Sequence, residues 1–255
     1  ILTITDIMKK LFALVATTLI ATSWLKAGEP IENYGIFKHV SIGAGFGILD
    51  GIGFEAATPI TDFVQLRLGY SFLPEIKYTA DGFEYKDHQD VQKEAEADFK
   101  LNMKDFKLLF DIYPARRSAF HFTVGAYIGQ DKLLTAEASV PDIKPGEGLI
   151  IGDYTLGADT EDGIVRAAIK VNKFKPYVGF GFGHHVPRKR VNCSFDMGVQ
   201  FWGNPGVYGR DVETQEYHKI TKEDIGEESA DEYFDTMSKI TVCPVISFRI
   251  NGRIF

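Results

Sequence analysis

In the stretch VNCSFDMGVQFW, residues 191–202, the side chains alternate in character with a period of two. Val, Cys, Phe, Met, Val and Phe fill one set of alternate positions, and Asn, Ser, Asp, Gly, Gln and Trp fill the other. Successive side chains of a β-strand point to opposite faces of a sheet, whereas a helix repeats every 3.6 residues. The stretch therefore predicts a strand with one bulky apolar face and one face of mostly small, polar residues.

The same alternation recurs through the chain from Val40 onward. Val64 to Phe72, Phe106 to Ile112 and Phe120 to Ile128 each place bulky apolar residues at every second position. On this pattern we predict eight strands, at residues 38–48, 51–58, 63–79, 98–113, 119–138, 164–184, 190–202 and 238–251.

The connections between these strands alternate in length after the first hairpin. Short connections lie at residues 49–50, 59–62, 114–118 and 186–189, and long ones at 80–97, 139–163 and 203–237. Outer-membrane barrels have short turns on the periplasmic side and longer loops outside. The expected fold is all-β: an eight-stranded antiparallel up-and-down transmembrane β-barrel (a meander) over residues 38–255. Thr221 to Asp224 and Ser229 to Glu232 resemble helix capping boxes, so a short helix in the last long loop is also expected.

The period alone does not say which face points outward. A soluble barrel of the lipocalin type buries its apolar face and exposes its polar face to water, which requires many Lys and Glu residues there. Here the polar face is mostly Gly, Ser, Thr, Asn and Gln. Small residues fit the crowded interior of a narrow barrel, and Leu, Val, Ile and Phe fit lipid. The membrane barrel is favoured, and a secreted soluble barrel is the alternative.

Composition excludes several other classes of protein. The chain has 255 residues and a formal net charge of −7, so it lacks the basic excess of a nucleic-acid binder. Hydrophobic residues are 45% of the chain, which argues against general disorder, and two cysteines are too few for a disulfide scaffold.

The first 27 residues read as a leader. Met8, Lys9 and Lys10 precede an apolar run from Leu11 to Ala21, which is too short to cross a bilayer as a helix. A short positive region, an apolar stretch and small residues are typical of a secretory signal peptide. We expect residues 1–27 to be upstream sequence and signal peptide, residues 28–37 a short periplasmic segment, and residues 38–255 the barrel.

The segment KLLFDIYP, from Lys107 to Pro114, together with Phe120 to Gly125, resembles a strand–turn–strand signature of small outer-membrane β-barrel proteins of the OmpA/OmpW-like kind. Residues 190–202 and the terminal Phe255 are also similar to that family. The resemblance implies an outer-membrane location and a role for Phe255 as the signal to the barrel assembly machinery. Phe255 is out of phase with the apolar row that ends at Ile250, which raises the expectation of a bulge near Gly252.

Six ionisable residues fall on the polar, inward face. They are Glu55, Arg67, Lys107, Asp111, Asp196 and Arg249. Because an unpaired charge in a narrow interior is very costly, we expect these three acids and three bases to form a paired network that fills the lumen. The alternative is a gate whose salt bridges exchange partners. Pro176 and Pro244 lie inside predicted strands and are expected to mark bulges or lost ladder bonds.

Candidate residues for chemistry are few. His121 and Thr123 share one face, as in a His/Ser pair of a lipid-modifying enzyme, but they point into the lumen near the periplasmic turn. His184 and His185 are neighbours, so in a strand they would face opposite ways. No set of residues has metal-ligand spacing, and we predict no metal, cofactor or catalytic residue.

The sequence therefore predicts a non-enzymatic protein in the outer membrane of a Gram-negative bacterium, with a structural or surface-interaction role. The alternative is a narrow channel for small hydrophobic or ionic solutes, and a lipid-modifying enzyme is a third hypothesis. The expected partners are outer-membrane lipids and the β-barrel assembly machinery, without nucleic acid, and the chain is expected to be a monomer.

Overall fold

The computed structural model describes residues 37–86, 92–116, 118–139, 147–151, 154–211, 214, 216–221 and 241–255. The predicted leader at residues 1–27 and nearly all of the segment 28–37 lie outside these ranges. Within them, no helix has the length and hydropathy needed to cross a membrane.

The described chain is built from strands. In chain order they are β1 (Ser41–Ile48), β2 (Gly51–Pro59), β3 (Val64–Lys86), β4 (Gln92–Ile112), β5 (Phe120–Gly129), β6 (Lys132–Ser139), β7 (Gly148–Ile151), β8 (Tyr154–Gly157), β9 (Ile164–Lys170), β10 (Phe174–Phe182), β11 (Val191–Phe201), β12 (Gly206–Arg210), β13 (Tyr217–Lys219) and β14 (Val242–Arg253).

Eight of these strands close into a ring. The ring runs β1, β2, β3, β4, β5, β10, β11 and β14 and returns to β1, and every neighbouring pair is antiparallel. Its strands follow chain order, as the predicted meander requires. The two ends of the described chain meet at one end of the ring, where the backbone N–H of Val40 donates to the carbonyl of Phe255 at 3.2 Å. This end also carries the turns before β3, β5 and β11, and we call it the turn end.

A second part of the sheet continues from β4 at the other end of the ring. Residues Glu96 to Leu101 of β4 pair with β6, and β9, β12 and β13 follow in antiparallel order. We call these four strands, with the parts of β3 and β4 that lie beyond the ring, the extension. The predicted strands 119–138 and 164–184 are each divided, into β5 and β6 and into β9 and β10, because the chain bends where it leaves the ring.

The long connections contain more strand than the sequence predicted. β3 runs to Lys86 and β4 begins at Gln92, so most of the expected loop 80–97 is a hairpin. The expected loop 139–163 holds the β7–β8 hairpin, and the expected loop 203–237 holds β12 and β13. β12 and β13 have only five and three residues, too few to establish a period of two in the sequence. Most of the expected short helix, residues 222–232, lies outside the described residues.

The expected irregularities occur elsewhere. Pro176 faces Ala126 and Pro244 faces Val199 in uninterrupted register, so neither marks a bulge in these pairings. Each lies where its strand pairs on one side only, since β10 pairs with β11 from Tyr177 and β14 pairs with β1 from Ile246, and a proline without an N–H is tolerated there. β14 pairs with β1 without a shift as far as Arg253, so the bulge expected near Gly252 is absent from this pairing. The described register shifts in β3 lie between Leu73 and Ile76, at Pro74, and between Ala80 and Phe83.

The two faces of the ring differ sharply in polarity. Its outer face carries large apolar side chains that are 50–65% exposed, among them Ile42, Phe46, Phe54, Leu68, Phe106, Phe122, Phe248 and Ile250. Its interior contains buried charges, an apolar cluster of Leu109, Tyr127, Tyr177 and Val245, and a second apolar cluster of Met103, Val171, Trp202 and Cys243. Cys193 is exposed and Cys243 is buried, and both thiols are free.

Candidate functional site in the lumen

The structure places all six predicted charges on the inner face of the ring. Glu55 lies on β2, Arg67 on β3, Lys107 and Asp111 on β4, Asp196 on β11 and Arg249 on β14, and each residue is at most 6% exposed. Five of the ring strands therefore contribute to one buried cluster. Since ions lose hydration free energy on burial, such charges persist only where partners compensate them.

Arg67 bridges three of the carboxylates. Its Nε lies 2.8 Å from Oδ2 of Asp111, and its Nη2 donates to Oδ1 of the same carboxylate at 2.8 Å. Only the Nη2 contact has hydrogen-bond geometry, because Nε of Arg67 and Oδ2 of Asp111 have no hydrogen-bond partner among the described residues. Its Nη1 lies 3.3 Å from Glu55 Oε2 and 3.5 Å from Asp196 Oδ2. One side chain on β3 thereby connects β2, β4 and β11 across the interior.

Arg249 reaches two of the same carboxylates from β14. Its Nε lies 3.0 Å from Oε1 of Glu55, and its Nη1 contacts Oδ2 of Asp196. Glu55 and Asp196 are thus each shared between two guanidinium groups. The cluster is consequently a connected network across the interior.

Two further ion pairs lie toward the extension, and sequence reasoning missed three of their members. Nζ of Lys107 lies 2.5 Å from Oδ2 of Asp50 and 3.4 Å from Oε1 of Glu55. The other oxygen of Asp50, Oδ1, accepts a hydrogen bond from the Ser71 hydroxyl. Nζ of Lys175 lies 2.6 Å from Oδ1 of Asp105. Asp105 and Lys175 are in phase with the inner rows of their strands, so the alternation contained a signal for both. Asp50 is in a turn, where alternation gives no direction.

Two histidines complete the turn end of the network. Nε2 of His121 lies 2.9 Å from Oδ1 of Asp196, and the two imidazole rings of His121 and His185 are 5.1 Å apart between centroids. His185 belongs to the turn between β10 and β11, which folds back into the ring. The carbonyl of His185 accepts a hydrogen bond from Ser41, and the N–H of Val186 donates to the Gln65 side chain at 3.1 Å.

The His121 and Thr123 pair does not have the geometry of a catalytic dyad. The Thr123 hydroxyl donates to Oδ1 of Asp111 at 2.7 Å, whereas Nε2 of His121 is engaged with Asp196. Both side chains are at most 1% exposed. Nε2 of His121 and the hydroxyl of Thr123 are therefore occupied by the network, and both side chains are shielded from any substrate outside the ring.

Comparison with known proteins gives a distant likeness only. No family model and no curated protein matches the chain. The solved structures of Acinetobacter baumannii CarO2 and CarO match it with a TM-score of 0.47 each. Their sequence identities are 18% and 17%, and the matches cover 85% and 87% of this chain and 99% of each of theirs. At this identity and TM-score the likeness does not bear on function, and the OmpA/OmpW-like family is not confirmed.

Proposed function

We propose that this chain is an integral β-barrel protein of a Gram-negative outer membrane, with a structural or surface-interaction role. The observation that carries the proposal is the distribution of polarity across the ring. Bulky apolar side chains are exposed around the outside, and paired charges are buried inside. A soluble barrel has the opposite arrangement.

The exposed apolar surface is too extensive for a ring that stands in water. Monomeric soluble proteins rarely expose contiguous apolar patches beyond a few hundred Å². Here outward apolar residues occur on all eight strands of the ring. The six strands that lie wholly in the ring have 8 to 12 residues, close to the roughly 9–11 that a tilted strand needs to cross a bilayer. A lipid surface accounts for both the length and the polarity.

Aromatic side chains lie near both ends of this apolar surface. At the turn end, the Phe120 ring is 4.8 Å from Phe122 and 5.3 Å from Phe182 between centroids. Toward the extension, the Tyr70 ring is 5.0 Å from Phe106. Membrane barrels carry such aromatic residues at both lipid–water interfaces. The arrangement supports a membrane boundary at each end of the ring.

The extension has the polarity of a surface that stands in water. Arg166 pairs with Asp159 at 2.9 Å and with Asp162 at 2.5 Å, and Lys100 pairs with Glu137 at 2.5 Å. Beyond the lipid, such a sheet is the part of the molecule available to a partner at the cell surface. This contrast with the ring supports a surface-interaction role.

The filled interior favours this role over transport or catalysis. The charges of the network are at most 6% exposed, and two apolar clusters fill neighbouring levels of the ring. An eight-stranded barrel has room for its own side chains or for one small ligand, and here side chains fill it. Nε2 of His121 and the hydroxyl of Thr123 are held by the network and buried, which argues against a lipid-modifying enzyme. Closure leaves the ring itself without an edge strand, which is consistent with a monomer.

Phe255 is the proposed signal to the assembly machinery. It is 59% exposed at the turn end, directly after β14, and its carbonyl accepts the hydrogen bond from Val40. Its ring is therefore available to another protein while its backbone is held. Outer-membrane lipids are the other expected partner.

Gel migration and conductance test the proposal together. We expect the membrane fraction of a Gram-negative host to contain the chain as a heat-modifiable species, which migrates differently before and after boiling. In planar bilayers the purified chain should give no steady ion current, because side chains fill the interior. A chain found only in the soluble fraction would contradict the barrel proposal. A steady current from the wild-type chain would instead favour the narrow channel.

A further inference from the structure

Four potential ligand atoms converge at the turn end of the lumen. They belong to Asp111 on β4, His121 on β5, His185 in the turn before β11 and Asp196 on β11, and they all lie within 4.8 Å of one another. All four residues are at most 2% exposed. No two of them are close in sequence, which is why ligand spacing along the chain did not reveal them.

The distances among these atoms match those around a small metal ion. Nε2 of His121 and Nε2 of His185 lie 2.9 and 3.4 Å from Oδ1 of Asp196. Nε2 of His121 lies 3.9 Å from Oδ1 of Asp111, and Nε2 of His185 lies 3.7 Å from Oδ2 of the same carboxylate. Four ligands at about 2.1 Å from a tetrahedral zinc ion are separated by about 3.4 Å. The observed separations lie on both sides of that value.

His185 provides an independent sign that a ligand is missing from the network. Its Nε2 is buried and has no hydrogen-bond partner among the described residues. Its other ring nitrogen, Nδ1, faces the Ser194 hydroxyl at 3.4 Å. If Nδ1 carries the proton and donates it to Ser194, the lone pair of Nε2 points at two carboxylates. A metal ion relieves that repulsion, and the Nδ1 contact is the kind that orients metal-bound imidazoles.

The charge around the four residues also accommodates a cation. The network near them contains four carboxylates, of Asp50, Glu55, Asp111 and Asp196, and three cationic groups, of Arg67, Lys107 and Arg249. With neutral imidazoles, this part of the lumen has one uncompensated negative charge. Arg249 binds Oδ2 of Asp196 and leaves Oδ1 facing the histidines.

We propose that Asp111, His121, His185 and Asp196 bind one divalent transition-metal ion of the zinc class. Two imidazole nitrogens and two carboxylate oxygens form a donor set that suits Zn²⁺ and disfavours Mg²⁺ or Ca²⁺, which prefer oxygen alone. The ion joins the turn between β10 and β11 to three strands of the ring. This site goes beyond the structural role proposed above and does not rest on it.

Metal titration of the full chain tests the site. The chain is purified in detergent without a polyhistidine tag, stripped with a chelator and titrated with Zn²⁺, and Co²⁺ serves as the spectroscopic probe. We expect one equivalent of either ion per chain and a Co²⁺ visible spectrum typical of four-coordinate nitrogen and oxygen ligation. His121→Ala and His185→Ala should each weaken binding by more than about tenfold, since loss of a partner outside the ligand set alone costs 10–100-fold.

His184→Ala is the matched control, because His184 is the chain neighbour of His185 but stacks on Tyr113 outside the four ligands, with ring centroids 4.8 Å apart. It should bind metal like the wild type, and heat-modifiable migration reports whether each variant is folded. X-ray absorption of the zinc-loaded wild type gives a result that needs no variant, and two imidazole ligands are expected. A stripped wild type that takes up no Zn²⁺, an absorption spectrum without imidazole, or a folded His185→Ala chain with unchanged affinity would overturn the proposal. So would a wild type that binds no metal and carries a protonated imidazole at neutral pH by NMR.

Discussion

Arg67 is the residue on which the buried network depends. It lies on the inner face of β3, is 1% exposed and contacts the carboxylates of Glu55, Asp111 and Asp196. Removal of one partner from a buried ion pair leaves the other charge uncompensated in a medium of low dielectric constant. Arg67 is therefore the residue at which the stabilising role of the network is most directly measured.

Arg67→Ala should lower the free energy of unfolding by about 3–5 kcal/mol, the usual cost of breaking a buried ion pair. Urea unfolding in detergent micelles, followed by circular dichroism, measures the change. Lys104→Ala is the control, because Lys104 is an exposed lysine of β4. An equal and small effect of both substitutions would mean that the network contributes little to stability.

The alternation of side chains along the strands identified part of the buried charge network. Arg67, Asp111 and Asp196 could be assigned to the inner face because the side chains of a strand alternate and the apolar row fixed the outer face. His185 could not be assigned in this way, since it lies in a turn, where the period of two gives no direction. Its approach to Asp196 depends on how that turn folds back into the ring, which is a tertiary property.

At the scale of the element, the glycines of β1 allow the ring to close tightly. A Cβ at Gly45 would lie 2.8 Å from Cα of Arg249 on the neighbouring β14 and would collide with the carbonyl of Phe248. The position accepts no side chain without a shift of backbone. By contrast, the nearest atoms to a Cβ at Gly252 are 4.0 Å away.

Gly45→Ala should therefore destabilise the folded ring by about 1–3 kcal/mol, the usual cost of overpacking. Gly252→Ala, the matched control on the paired strand, should change stability by less than about 0.5 kcal/mol. Thermal loss of the heat-modifiable species measures both. Equal midpoints for the two variants would show that β1 and β14 are packed less closely than the structure indicates.

In the extension, Arg166 controls the ionisation of a neighbouring carboxylate. The hydrogen bond from the Arg166 side chain lowers the pKa of Asp162, with a further contribution from the backbone N–H of Ile164. Because the pKa is lower in the folded state, this contact stabilises the extension above the ordinary pKa of aspartate, and the effect is lost as the pH falls through the lowered value.

Arg166→Ala should raise the pKa of Asp162 toward its ordinary value. Carboxyl carbon chemical shifts followed by NMR between about pH 2 and pH 6 measure the pKa. Lys77→Ala, at an exposed lysine of β3 that pairs with Glu75, should leave it unchanged. If Asp162 titrated identically in the wild type and in Arg166→Ala, the ion pair would be absent in solution.

The elements differed in how far the sequence predicted them. The ring strands were predicted, because each presents an apolar outer face and a small, polar inner face. Apolar and polar residues therefore alternate along the sequence of each strand with a period of two. β12 and β13 were missed, because they have only five and three residues, too few to establish a period of two. The bends between β5 and β6 and between β9 and β10 each separate a strand that pairs within the ring from one that pairs in the extension. No local pattern in the sequence reports this change of partner strand.

At the scale of the whole molecule, the mean hydropathy of −0.08 conceals two very different surfaces. It averages the apolar exterior of the ring with the charged interior and the polar extension. Overall composition therefore resembles that of a soluble protein, and only the division of residues between faces separates the two classes. We propose on this division that the outer face of the ring contacts lipid.

Fluorescence quenching by lipids brominated in their acyl chains tests that claim most directly. In a chain without residues 1–27, Trp202 is the single tryptophan and lies in the interior, 7% exposed. Leu68→Trp in a Trp202→Phe background places a tryptophan on the outer face at the middle of the ring. We predict strong quenching of the tryptophan at position 68 by the brominated lipid and little quenching of Trp202. Quenching at position 68 by aqueous iodide, without any effect of the brominated lipid, would contradict the account.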